Sequence, residues 1–213
     1  MDVVIAGGHG QIALRLARLL AARDDTVRAL IRNPGHAADV EAAGARPVVF
    51  DLEGPDGDLA AEVRGADAVV FAAGAGPGSG AARKRTVDLG AAVRLIDAAR
   101  ASGVRRYVMV SSIGADDPAG GGEAMRPYLE AKAEADAAVV ASGLDFTIVR
   151  PGPLTNDPGT GLVTAGASVG RADVTRDDVA AVIVGVLDEP RTIGRTFVLV
   201  GGDTPIATAL ARL

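Results

Sequence analysis

The sequence predicts an α/β fold: a Rossmann-like, doubly wound parallel sheet of about seven strands, layered α/β/α. Three observations predict it. Short apolar runs alternate with longer Ala/Leu/Val/Arg segments of helical character. The short runs are apolar on both faces, as a parallel sheet covered on two sides requires. The first run stops abruptly in "GGHG" (7–10), and an apolar, helix-favouring run follows.

The predicted strands are "DVVIA" (2–6), "VRALI" (27–31), "RPVVF" (46–50), "DAVVF" (67–71), "RRYVMV" (105–110), "DFTIV" (145–149) and "RTFVLV" (195–200). Between them, residues 10–24, 86–103 and 127–143 read as helices. In the second of these, Val87, Ala91, Leu95 and Ala98 recur at helical spacing. Gly103 and Gly143 stand where helix C-termini favour a residue that tolerates a left-handed conformation. Residues 175–190 read as a last helix with Thr175 as N-cap. Strands alternating with helices imply crossover connections and a parallel sheet. The glycine-rich loops "GAGPGSG" (74–80) and "GADDPAGGGEA" (114–124) follow strands, so both are expected at the C-terminal sheet edge, where such folds bind ligands.

With 213 residues, 48% of them hydrophobic, the chain can form one domain, 1–213, with a full core. A small substrate-side region is expected at about 151–180. The absence of cysteine excludes disulfides, iron–sulfur ligation and thiolate catalysis. No run approaches the roughly 18 apolar residues that span a bilayer, and no basic region precedes the first apolar stretch, so that stretch reads as a strand rather than a secretory signal. A net charge of −5 argues against general nucleic-acid binding. A cytoplasmic protein is expected, monomeric or homodimeric, acting on a small molecule, with no metal, membrane or nucleic-acid partner.

The pattern Gly7-x-x-Gly10-x-x-Ala13 has two readings. One is a plain strand-to-helix turn. The other is a dinucleotide phosphate loop: Gly7 permits the turn, Gly10 lets a pyrophosphate approach, and Ala13 lets the helix pack close. Gly8 lies in the same loop. The amides of Gln11 and Ile12 would then face the phosphates, favoured by the helix dipole. A preceding strand and a following helix favour this second reading. The second strand ends in "IRNP" with no acid to bind ribose hydroxyls; Arg32, with Asn33 beside it, suits a 2′-phosphate by charge and paired hydrogen bonds, so NADP(H) is expected over NAD(H). In "FDL", Asp51 accepts from an adenine amino group with Leu52 beside the ring, or is an ordinary turn aspartate. His9 contacts phosphate or is a solvated loop residue.

The chain has two tyrosines and, among 22 basic residues, only two lysines. Tyr128 and Lys132 stand four apart in "YLEAK", on one face of a predicted helix. An ammonium near a phenol stabilises tyrosinate and lowers its pKa from about 10, which suits a general acid or base. Upstream, "VSSIGA" offers Ser111 and Ser112. The hydroxyl of Ser112 is the candidate to hold a substrate carbonyl; turn capping is the alternative.

These residues carry a resemblance. The chain resembles the atypical short-chain dehydrogenases/reductases, in the compact NAD(P)-binding group of flavin/biliverdin reductases and NADPH sensors. The similarity runs from "GGHGQIA", "IRNP", "FDL" and "FAAGAG" (71–76) through "VSSIGA", "YLEAKAEAD", "SGLDFTIVRPGPLT" (142–155) and "TRDDVA" to "FVLVGGDTPI" (197–206). It implies that Lys132 also holds the nicotinamide ribose. Pro151, Gly152 and Leu154 would lie beside the nicotinamide, and Ala72, Ala73 and Gly74 along the adenosine half. The implied activity is NADPH-dependent reduction of a small carbonyl, quinone or flavin-like acceptor. An NADP(H) sensor without turnover is the alternative, and an epimerase or dehydratase the third reading. The long C-terminal extension by which sugar-nucleotide epimerases hold their substrate is missing here, which weighs against the third.

Overall fold

The computed structural model describes residues 1–54, 56–76 and 78–213; Pro77, within the predicted 74–80 loop, lies outside the described residues. Its strands are β1 (Asp2–Ala6), β2 (Thr26–Ile31), β3 (Arg46–Val49), β4 (Ala68–Phe71), β5 (Arg106–Val110), β6 (Asp145–Pro151), β7 (Leu154–Thr155), β8 (Leu162–Gly166), β9 (Val174–Thr175), β10 (Arg195–Gly201) and β11 (Thr204–Pro205). The main sheet has nine strands in the order β11-β8-β10-β6-β5-β4-β1-β2-β3. The seven from β3 to β10 pair in parallel. They are the seven expected strands. The two additions, β8 and β11, are antiparallel and extend the sheet beyond β10. Only Val163 is fully buried in β8, so this strand lacks the two-sided apolar run that marks the others. A separate pair joins β7 to β9.

The helices are α1 (Gln11–Ala21), α2 (Ala37–Ala42), α3 (Leu59–Val63), α4 (Ala81–Lys84), α5 (Ala91–Ser102), α6 (Gly122–Ala141), α7 (Arg176–Asp188) and α8 (Ile206–Ala211). Alternation along the strands divides the core. Val3 and Ile5 of β1 join the cluster under α1, α7 and α8, whereas Val4 and Ala6 join the one under α3, α5 and α6. Successive side chains of a strand point to opposite faces, so a strand apolar at every position serves both layers.

Two helices differ from expectation. Residues 85–90 form a π-helical turn that joins α4 to α5, and π turns inside helices are rare and frequent at functional sites. Helix α6 begins five residues earlier than expected and carries Pro127 within it. The expected caps are present: Gly103 has φ +77°, Gly143 has φ +73°, and the Thr175 hydroxyl accepts from the Asp178 amide at 2.9 Å. Among the described residues no helix is long and apolar enough to cross a membrane.

Candidate functional site

The strand order reverses at β1, which lies between β2 and β4. Crossover connections leave that point on opposite faces and open a crevice at the strands' C-terminal ends. A cavity of about 290 Å³ lies there, lined by Gly7, Gly8, His9, Gly10, Arg32, Asn33, Asp51, Leu52, Ala72, Ala73 and Gly74. All eleven were expected to bind cofactor.

The loop is built for close approach. Gly7 has φ +82°, and a Cβ there would stand 2.6 Å from the Ala73 backbone. At Gly8 a Cβ would stand 2.6 Å from the Ala29 side chain of β2, a close approach that no local pattern announces. Gly10 precedes α1 without a side-chain cap. Among the described residues the amides of Gln11 and Ile12 have no acceptor, so the positive end of α1 opens toward the crevice. This is the donor set a pyrophosphate needs. The side chain of Ile12 is instead buried in the core, and Ala13 is wholly buried.

Around this loop, several groups interact in ways the sequence did not predict. Arg32 reaches Glu53 at 2.7 Å. Glu53 also receives Arg83 at 2.8 Å and the Thr86 hydroxyl at 2.7 Å, from α4 and the π turn. Glu53 and Arg83 line the cavity, yet stand 30 residues apart; only the fold joins them. Asp51 accepts from the Glu53 amide at 3.0 Å, the turn role that was its alternative reading. Asn33 accepts from the Gly35 amide. His9 stacks on His36 with ring centroids 3.7 Å apart, and its Nε2 lies 2.8 Å from Asp39 Oδ2.

A second cavity, of about 490 Å³, opens beyond β5 and β6. Ser112 and Tyr128 line it together with Gly152, Pro153 and Leu154. Pro151 is buried at the end of β6 and does not line the cavity. Lys132, one turn along α6 from Tyr128, is 3% exposed and lines neither cavity. Its ammonium donates to the Val110 carbonyl at 3.1 Å and lies 3.4 Å from Asp88 Oδ1. It stands 5.9 Å from the centre of the Tyr128 ring and 5.5 Å from that of Phe71. The ammonium therefore faces the phenol ring while its close contacts lie elsewhere. Asp88, fully buried on the π turn, also accepts from the Ala75 amide. It ties the α6 lysine to the loop after β4, and sequence inspection missed it.

Ser111 points inward, unlike Ser112, and donates to Asp136 at 2.9 Å; Arg150 donates to the same oxygen at 2.9 Å. Burial raises the Asp136 carboxyl above its ordinary value, against the opposing pull of Ser111, Arg150 and Lys132.

The NAD(P)H-binding family model matches residues 7–190. The chain belongs to this family. Within it, the curated sugar epimerase YhfK of Bacillus subtilis, itself uncharacterised, is 44% identical over 100% of both chains. A solved structure from Bacillus halodurans, named as an NAD-dependent epimerase/dehydratase, superposes with TM-score 0.94 at 41% identity, covering 100% of both chains. The oxidoreductase ylbE of Lactococcus lactis gives TM-score 0.88 at 30% identity, over 100% of this chain and 96% of that one. The atypical short-chain dehydrogenase/reductase resemblance agrees with these findings, and the chain is NAD(P)H-binding.

Proposed function

We propose that the chain is an NADPH-dependent reductase that passes hydride to a small carbonyl, quinone or flavin-like acceptor. One observation carries this reading: Tyr128 and Ser112 line the same cavity as the Gly152–Leu154 segment proposed to flank the nicotinamide. The dinucleotide would run from the glycine loop, past Ala72–Gly74, to that segment. Arg32 and Arg83 would hold the 2′-phosphate once Glu53 gives way to it, which makes NADP(H) the favoured cofactor.

When bound, NADPH supplies the hydride. Ser112 orients the acceptor oxygen. Tyr128 donates its hydroxyl proton to that oxygen as negative charge develops there. The ammonium of Lys132 faces the ring from 5.9 Å, and solvent returns the proton.

The enclosure of Lys132 by Asp88 and Val110 supports a second reading, an NADP(H) sensor without turnover. The names of the Bacillus relatives support a third, epimerase or dehydratase chemistry. NADPH deuterated at nicotinamide C4, offered with aromatic aldehydes, quinones and free flavins, and separately NAD⁺ or NADP⁺ offered with nucleotide-sugars, distinguish the three. The reductase reading expects a reduced acceptor with equivalent NADP⁺, and deuterium retained on carbon where the acceptor is an aldehyde. NADPH binding without transfer to any acceptor would establish the sensor. Epimerised nucleotide-sugar without net cofactor oxidation would establish the third reading.

A further inference from the structure

Two arginines of the second cavity have no part in the chemistry above. Arg171, from the loop between β8 and β9, and Arg176, from the first turn of α7, line it together with Tyr128 and Ser112. Among the described residues Arg176 donates only to neutral acceptors, the Leu154 carbonyl at 3.3 Å and Asn156 Oδ1 at 3.0 Å. Among the described residues neither guanidinium has a carboxylate partner, unlike Arg15, Arg32 or Arg150.

Four nearby acids are engaged elsewhere, and neither Asp157 nor Asp173 forms an ion pair with these arginines among the described residues. Asp177 pairs with Arg15 at 2.5 Å. Asp178 receives the amides of Thr160 and Gly161 and the Thr175 hydroxyl. Asp116 lies 3.9 Å from Arg150. Asp117 lines the cavity, but its Oδ1 accepts from the Gly120 amide and caps the 118–121 turn. The remaining lining includes Ile113, Met125, Leu129 and Leu154, all apolar. The cavity therefore presents three surfaces: a proton donor, an apolar wall and two guanidinium groups without a direct ion pair among the described residues.

Resting on the reductase reading for the position of the reacting group, we propose that Arg171 and Arg176 form an anchor for a carboxylate, and that the acceptor is an amphipathic organic acid. Its apolar body would lie against Met125, Leu129 and Leu154, with its reducible group at Tyr128. Guanidinium forks match a carboxylate in charge and plane. In a chain of net charge −5, a local cationic pair is what draws an anion into this cavity.

The test uses the full chain loaded with NADP⁺ and two probes, 4-formylbenzoate and its methyl ester, which share an aldehyde and differ by one charge. Calorimetry should show the acid binding about tenfold or more tightly than the ester. Arg171→Gln should abolish most of that advantage and leave NADP⁺ affinity unchanged. Arg171 makes no hydrogen bond among the described residues, so its loss threatens the fold less than that of Arg176. Equal affinity of acid and ester, binding of neither, or an equal loss of both in Arg171→Gln overturns the anchor. NADPH oxidation by the same probes separates the two claims. Preferential binding of the acid with no oxidation upholds the anchor and removes the reductase reading; oxidation with equal binding of both does the reverse.

Discussion

The two cavities share one sheet edge and are built in opposite ways. The first is shaped by backbone: glycines at 7, 8 and 10, an uncapped helix terminus, and the ends of β1 to β4. Its arginines are exposed at the mouth, Arg32 55% and Arg83 42%, both in contact with half-buried Glu53. The second is shaped by side chains from segments far apart in sequence. Between the two cavities lies a buried charged pair, with Lys132 3% and Asp88 0% exposed: Lys132 is one turn from Tyr128 of the second cavity, and Asp88 holds the Ala75 amide beside Gly74 of the first. The contrast separates two tasks. A backbone cradle recognises what every dinucleotide has in common, whereas a side-chain cavity can fix a reacting group and select its partner.

Four substitutions can break or sharpen this contrast. The largest expected effect is at Tyr128. Tyr128→Phe keeps the ring and should lower carbonyl turnover by about 10²–10⁴-fold, with NADPH affinity held within about twofold. Steady-state kinetics beside a fluorescence titration checks this; full activity would leave the tyrosine outside the reaction.

Asp88→Ala should destabilise the fold by about 3–5 kcal/mol, because it leaves the Lys132 ammonium buried without its carboxylate. Urea unfolding measures the loss. A change below about 1 kcal/mol, the scale of exposed pairs, would show that the buried pair between the cavities is no stiffer than the ion pairs at the first cavity's mouth.

Arg32→Ala should reduce the preference for NADPH over NADH by roughly tenfold to a hundredfold, as expected for one charge-assisted phosphate contact of about 1.5–3 kcal/mol. Equal affinities for the two cofactors in the parent would remove the phosphate role from Arg32. The smallest effect is at Glu53. Glu53→Gln frees Arg32 and Arg83 from a competing carboxylate and should raise NADPH affinity by about two- to fivefold, with NADH affinity unmoved. A fall in NADPH affinity would mean that Glu53 holds the ribose itself.

What the sequence reveals follows the same division. The parallel strands were legible because two-sided burial writes itself as uninterrupted apolar runs, as in Val3 to Ala6. The glycine loop was legible because one short stretch holds the turn and the helix start. β8 was not, since a half-exposed edge strand has no such run. The early start of α6 was hidden by Pro127 and three preceding glycines, residues that ordinarily break helices. Tyr128 and Lys132 stood out because both types are scarce. Asp88 and Glu53 did not, because each acquires its partner only through packing: Asp88 from α6, 44 residues on, and Glu53 from Arg32 and Arg83 on either side.

The central claim is that the cavity at the glycine loop holds the dinucleotide, and Gly10→Val tests it most directly. A Cβ at Gly10 would stand 3.1 Å from the Gly7 carbonyl, which must yield by a few tenths of an ångström, and the branched group would fill the space meant for pyrophosphate. Calorimetric titration with NADPH should show one equivalent bound by the parent and none by Gly10→Val, with cooperative unfolding retained in both. Unchanged binding in the variant would contradict the claim and reduce the loop to a turn.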